Sequence, residues 1–115
     1  MAEASKTVRE IRREGDAIVV ALVGEVDLHH TPEVHKVLVT SCQQEPPRLV
    51  VNLEGVSYLD SSGIGTLVEV FRRVNSYGGK LALCGLNERV LSVFEITKLD
   101  KFFKIYDSEP EALQA

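Results

Sequence analysis

Apolar residues follow two different rhythms along this chain, and their alternation predicts its elements. Residues 17–23 (AIVVALV), 49–53 (LVVNL) and 80–84 (KLALC) are short, nearly continuous apolar runs. Such runs read as strands covered on both faces. Between them the spacing changes to that of a helix face. Val34, Val37, Leu38, Ser41 and Cys42 recur at i, i+3, i+4, i+7 and i+8, and Ile64, Leu67, Val68, Phe71 and Val74 repeat the pattern. Val90, Leu91 and Phe94 begin a third apolar face. Residues 8–13, rich in charge, precede Gly15-Asp16, which predicts a hairpin whose first strand is an edge, because charge blunts exposed edges. Residues 102–106 predict a short last strand at an edge.

Punctuation sharpens the boundaries. Thr31-Pro32 predicts a helix start, with Thr31 as the N-cap and proline at the first helical position. Tyr77-Gly78-Gly79 predicts a helix stop. Asn87 predicts a cap for the third helix, and Ser108-Glu109-Pro110-Glu111 is a capping-box pattern that opens a fourth. Pro46-Pro47 separates two elements rather than two domains. The predicted order is β-β-α-β-α-β-α-β-α. Strands alternating with helices imply crossovers and a mostly parallel α/β sheet of about five strands, flanked by about four helices, with an antiparallel N-terminal edge. In such a sheet the loops leaving the parallel strands share one end, where α/β proteins place ligands. Residues 24–31, 57–63 and 85–87 should therefore converge.

At 115 residues the chain is long enough for one core, and the whole of it, 1–115, is expected to form one domain. A net charge of −4 without a basic stripe disfavours nucleic acid as a partner. No apolar run approaches the length of a membrane span, and the opening residues M-A-E-A-S-K-T lack the apolar region of an export leader. Cys42 and Cys84 match neither a disulfide framework nor zinc spacing and read as reduced core thiols. A cytoplasmic protein is expected.

The stretch YLDSSGIGTL, residues 58–67, concentrates the candidate chemistry. Asp60, Ser61 and Ser62 are all good N-cap residues, and glycine permits a tight strand-to-helix turn. A cap needs only one of the three, so structure alone leaves two side chains unexplained. A nucleophile elbow requires a glycine two residues before the serine, and it is missing. Gly63-x-Gly65 lacks the rest of either phosphate-binding fingerprint, and no lysine follows. A phosphate acceptor remains admissible. A phosphoryl group in the first turn of a helix meets free N–H groups and the positive end of the dipole, while Asp60 would repel it. His29, His30 and His35 lack the i, i+4 spacing of a helical metal pair, so no metal or other cofactor is expected. His35 is expected on a solvent-facing helix position.

GEVDLHHTPEV at 24–34, residues 49–85 through the D-S-S-G-x-G stretch, and VLSVFEITKLDKFF at 90–103 together resemble a bacterial STAS domain, a likeness that covers about residues 7–113 and implies the domain's core there. Specifically, they resemble the stand-alone anti-sigma factor antagonists of sporulation and general-stress partner switching. That resemblance implies a STAS fold and a protein without catalytic activity. The unphosphorylated form would bind an anti-sigma factor that is also a serine kinase and so free a sigma factor. Phosphorylation in the D-S-S-G loop would end the interaction, and a PP2C-type phosphatase would restore it. By motif position the implied acceptor is Ser62, with Ser61 the fallback. The implied partner-binding surface comprises Asp27, His29, His30, Asp60, Ser61, Ser62 and Gly63. Two departures from the family pattern stand out: Asn52 where aspartate is frequent, expected to be tolerated, and Lys98 where glycine is usual. Two other roles remain open, a small-ligand or nucleotide sensor and an unphosphorylated scaffold or transport-complex subunit.

Overall fold

The computed structural model describes residues 7–115, so the opening segment read for an export leader lies outside it apart from Thr7. The elements are β1 (Val8–Glu14), β2 (Ala17–Val26), α1 (Thr31–Gln43), β3 (Arg48–Leu59), α2 (Ser61–Ser76), β4 (Lys80–Cys84), α3 (Glu88–Ile96), β5 (Lys104–Tyr106) and α4 (Glu109–Gln114), with a 3-10 turn at Leu99–Lys101. The five strands lie in sequence order. β1 pairs antiparallel with β2, and every later pair is parallel.

Alternation along the strands sorts side chains into two layers. Ile18, Val20, Leu22, Leu49, Val51, Leu53, Leu81 and Leu83 face α1, α2 and α3, which contribute Val34, Leu38, Leu67, Val70, Val74, Val90 and Phe94. Burying each such side chain is worth about 1.5–3 kcal/mol, so this layer supplies most of the drive to fold. Val19, Val50, Ala82 and Cys84 face the other way, against Ala112 of α4. Both cysteines are buried and free, and burial pushes the Cys84 thiol up to about 11. The short α4 is held by polar ties: Glu109 accepts from Arg12 on β1 and, at 3.0 Å, from the Asn52 amide on β3. Asn52 thus has a use that an aspartate could not serve, because only the amide can donate.

Several expectations need correcting. β2 and β3 run past the predicted runs and continue together, as a parallel ribbon, to Val26 and Leu59. Two register shifts in that ribbon, between Ala21 and Val23 and between Gly24 and Glu25, each place an extra residue in β3. Bulges of this kind interrupt the period-two pattern, so the sequence reads as loop where the backbone is still paired. β4 stops at Cys84, opposite Asn52, and the ribbon beyond it is partly covered by Asn87, whose amide donates to Val56 O at 3.0 Å. Thr31 does not cap α1. It lies within the first turn, and its hydroxyl donates back to Leu28 O. His35 keeps a partly exposed side chain, as expected, but it is engaged across the helices, with Nε2 3.0 Å from both carboxylate oxygens of Glu69 on α2. β5 begins at Lys104, because Phe102 ends the 3-10 turn and rests on Phe71 with ring centroids 4.4 Å apart. Lys98 adopts φ 66°, the left-handed conformation that glycine takes without penalty.

Candidate functional site

The extended ribbon delivers two loops to the same end of the sheet. β3 ends at Leu59, and Asp60, in extended conformation, opens α2 as its N-cap. Oδ1 of Asp60 accepts from Ser62 N at 2.9 Å, Gly63 N at 3.1 Å and the Ser62 hydroxyl at 2.5 Å. Oδ2 accepts from Leu28 N of the neighbouring loop at 3.0 Å. One carboxylate therefore starts the helix and ties the two loops together. Its pKa lies below the ordinary aspartate value, chiefly through the Ser62 hydroxyl and further through these backbone donors.

Gly63 is required by packing. A Cβ there would come within 2.5 Å of Leu59 Cδ1 and 3.0 Å of Val26 O, so the turn of α2 can sit on the ribbon only without a side chain. Gly65 differs. It lies inside α2, and a Cβ added to it would meet nothing within 4 Å. Glycine inside a helix costs about 0.5–1 kcal/mol relative to alanine, and no contact among the described residues explains it.

The first loop is organised by Asp27. Its Oδ1 accepts from the backbone N–H groups of His29 and His30, each at 3.1 Å, and from His30 Nδ1 at 2.8 Å. Partial burial works to raise the Asp27 pKa, but the hydrogen bonds and charge of His30 outweigh it and bring it below the usual value. Asp27 and His30 thus hold the loop, and the outer surface is left to Leu28 and His29. Leu28 is 74% exposed, and Tyr58 nearby on β3 is 44% exposed. Asp27, Leu28, His29, Tyr58 and Asp60 line one shallow concavity. Among the described residues, no three His, Cys, Asp or Glu side chains gather as a metal-holding group.

The STAS domain family model matches residues 8–112. The chain belongs to the STAS domain family. The anti-sigma F factor antagonist of Paenibacillus polymyxa is 30% identical over 106 residues, covering 90% of each chain. The anti-sigma-B factor antagonist of Bacillus subtilis is 34% identical over 96 residues, covering 84% of this chain and 87% of that protein. Among solved structures, the Bacillus cell fate determinant SpoIIAA superposes with a TM-score of 0.71 in both its unphosphorylated and phosphorylated forms, at 23% identity. The match covers 91% of this chain and 94% or 96% of those chains. This likeness extends to the fold.

Within this STAS domain the seven residues named from the sequence do converge, through the Asp60–Leu28 link, but they divide by role. Ser61 is exposed, and among the described residues its hydroxyl has no hydrogen-bond partner. Ser62 is half-buried with its hydroxyl committed to Asp60. Leu28 and Tyr58 were missed. Their only signal in sequence is an apolar residue between Asp27 and two histidines, and an aromatic one next to the acidic cap.

Proposed function

We propose that this STAS domain is an anti-sigma factor antagonist, a binding module controlled by phosphorylation of a serine at the start of α2. The names of its relatives support antagonism of an anti-sigma factor. The observation that carries the switch is the exposed hydroxyl of Ser61, without a hydrogen-bond partner among the described residues, at the end of the sheet that also exposes Leu28 and Tyr58. Exposed apolar side chains beside a modifiable hydroxyl suit docking of a protein, here an anti-sigma factor that is also a serine kinase. The unmodified form binds it in the cytoplasm and releases the sigma factor. A PP2C-type phosphatase reverses the modification.

The geometry favours Ser61 over Ser62 as acceptor. Phosphorylating Ser62 would break its 2.5 Å bond to Asp60 and place a second anion against that carboxylate. A phosphate on Ser61 leaves the cap intact and stays near the N-terminal end of the helix dipole. Docking would bury the loop, and an unpaired charge in an interface costs on the order of 2–5 kcal/mol, roughly a thirtyfold to several-thousandfold loss of affinity.

The test uses purified serine-kinase anti-sigma factors from the host, with ATP, and mass spectrometry to locate the phosphate. Wild type and Ser61→Ala should bind the kinase, only wild type should be modified, and Ser61→Asp should bind more weakly. Phosphate on Ser62 alone would move the acceptor by one residue. Modification of neither serine, or equal binding by the phosphorylated form, would refute the switch.

A further inference from the structure

Of the two glycines in the D-S-S-G-x-G stretch, the fold accounts for Gly63 and not for Gly65. Gly65 lies one helical turn beyond Ser61 and floors a groove between the N-terminal turns of α1 and α2. Thr31, Pro32 and His35 line one side of that groove, and Ser62, Thr66 and Glu69 the other. Thr66 supplies a second, independent observation. It is only 8% exposed, yet its hydroxyl makes no hydrogen bond among the described residues. No fully enclosed side-chain polar atom among those residues lacks a partner, so this hydroxyl keeps some exposure, and Thr66 is exposed where it lines the groove. The far wall is pinned in place, because His35 and Glu69 bridge α1 to α2 at 3.0 Å and Arg73 holds Glu69 from the next turn at 2.9 Å. The groove thus has a bare backbone floor, one unused hydroxyl in that floor, and a braced rim.

We propose that this groove seats a main-chain segment of the kinase-type anti-sigma factor, which packs directly on the Gly65 backbone and hydrogen-bonds the Thr66 hydroxyl. The proposal rests on the functional reading above and says how the partner grips the chain. A kinase that reaches the Ser61 hydroxyl must lie against the first turn of α2, and the groove continues from that turn. A side chain at position 65 would hold the partner off by the thickness of a methyl group or more, and the Thr66 hydroxyl would then lose its partner's backbone. Glycine here lowers the stability of the free chain and gains close approach in the complex.

The two effects have opposite signs, which makes the experiment decisive. Gly65→Ala should raise Tm by about 2–6 °C, because alanine suits a helix interior better. The same variant should bind the host's serine-kinase anti-sigma factor about tenfold or more weakly, as expected for a methyl forced into a packed contact. Thr66→Val, which keeps the shape and removes the hydroxyl, should fold normally and lose several-fold in affinity. Unchanged binding by Gly65→Ala, or a lowered Tm, would overturn the proposal. A wild-type dimer abolished by Gly65→Ala, with kinase binding intact, would assign the groove to a second copy and overturn it too. Failure of wild type to bind or be phosphorylated by any such kinase would refute the functional reading itself, a result separable from loss in the variants alone.

Discussion

Replacing Asp60 by alanine removes four hydrogen bonds at once, and their geometry sets the expected cost. Two of them, from Ser62 N and Gly63 N, are the cap of α2. Loss of such a cap costs about 0.5–2 kcal/mol. The bond from Leu28 N at 3.0 Å is charge-assisted and joins the two loops, and with the Ser62 hydroxyl it adds about 1 kcal/mol after allowing for exposure. Asp60→Ala should therefore destabilise the chain by about 1.5–3 kcal/mol in urea or thermal melts and lower Tm by roughly 10 °C. Asp60→Asn keeps an acceptor for the cap but turns an N–H₂ group toward one set of donors, so its loss should fall in between. The pH dependence follows from the lowered pKa. A carboxylate whose folded pKa lies below its unfolded value contributes stability that is fully present above about pH 4–5 and is lost as pH falls through the folded pKa. The gap between wild type and Asp60→Asn should thus be constant at neutral pH and shrink below about pH 4. A cost for Asp60→Ala below about 0.5 kcal/mol, or a gap that widens in acid, would refute the assignment of Asp60 as the shared cap and loop tie.

Gly63→Ala should cost about 1–3 kcal/mol, because the added methyl meets Val26 O, which cannot rotate away, as well as Leu59 Cδ1. Its denaturation midpoint set beside that of Gly65→Ala gives opposite shifts from two glycines in one motif. Lys98→Gly should stabilise the chain by up to about 1 kcal/mol, since it relieves a left-handed residue at φ 66°, and a calorimetric Tm below that of wild type would contradict this.

Local patterns in the sequence were enough to determine the element types, their order and most of the helix ends. The caps at Asn87 and Ser108 and the left-handed Gly78 after α2 depend on neighbours a few residues away, and they appear where the sequence predicts them, whereas the choice of Asp60 over Ser61 and Ser62 as the cap of α2 came from the structure. The mostly parallel sheet follows as well, because strand–helix alternation admits few connections. Strand direction in that sheet brought the D-S-S-G loop and the loop after β2 to one end, and the family resemblance implied that they serve a partner together. What only the tertiary structure decided depends on residues far apart in the chain. The bulges that carry β2 and β3 past their predicted ends arise from pairing between the strands. His35 pairs with Glu69, Leu28 with Asp60, and Arg12 and Asn52 with Glu109, across 32 to 97 residues, and no periodicity within one segment encodes such partners. The division of labour between the serines has the same origin. Ser61 and Ser62 are equivalent as letters, and only the direction in which α2 leaves the ribbon turns one hydroxyl to solvent and the other onto Asp60.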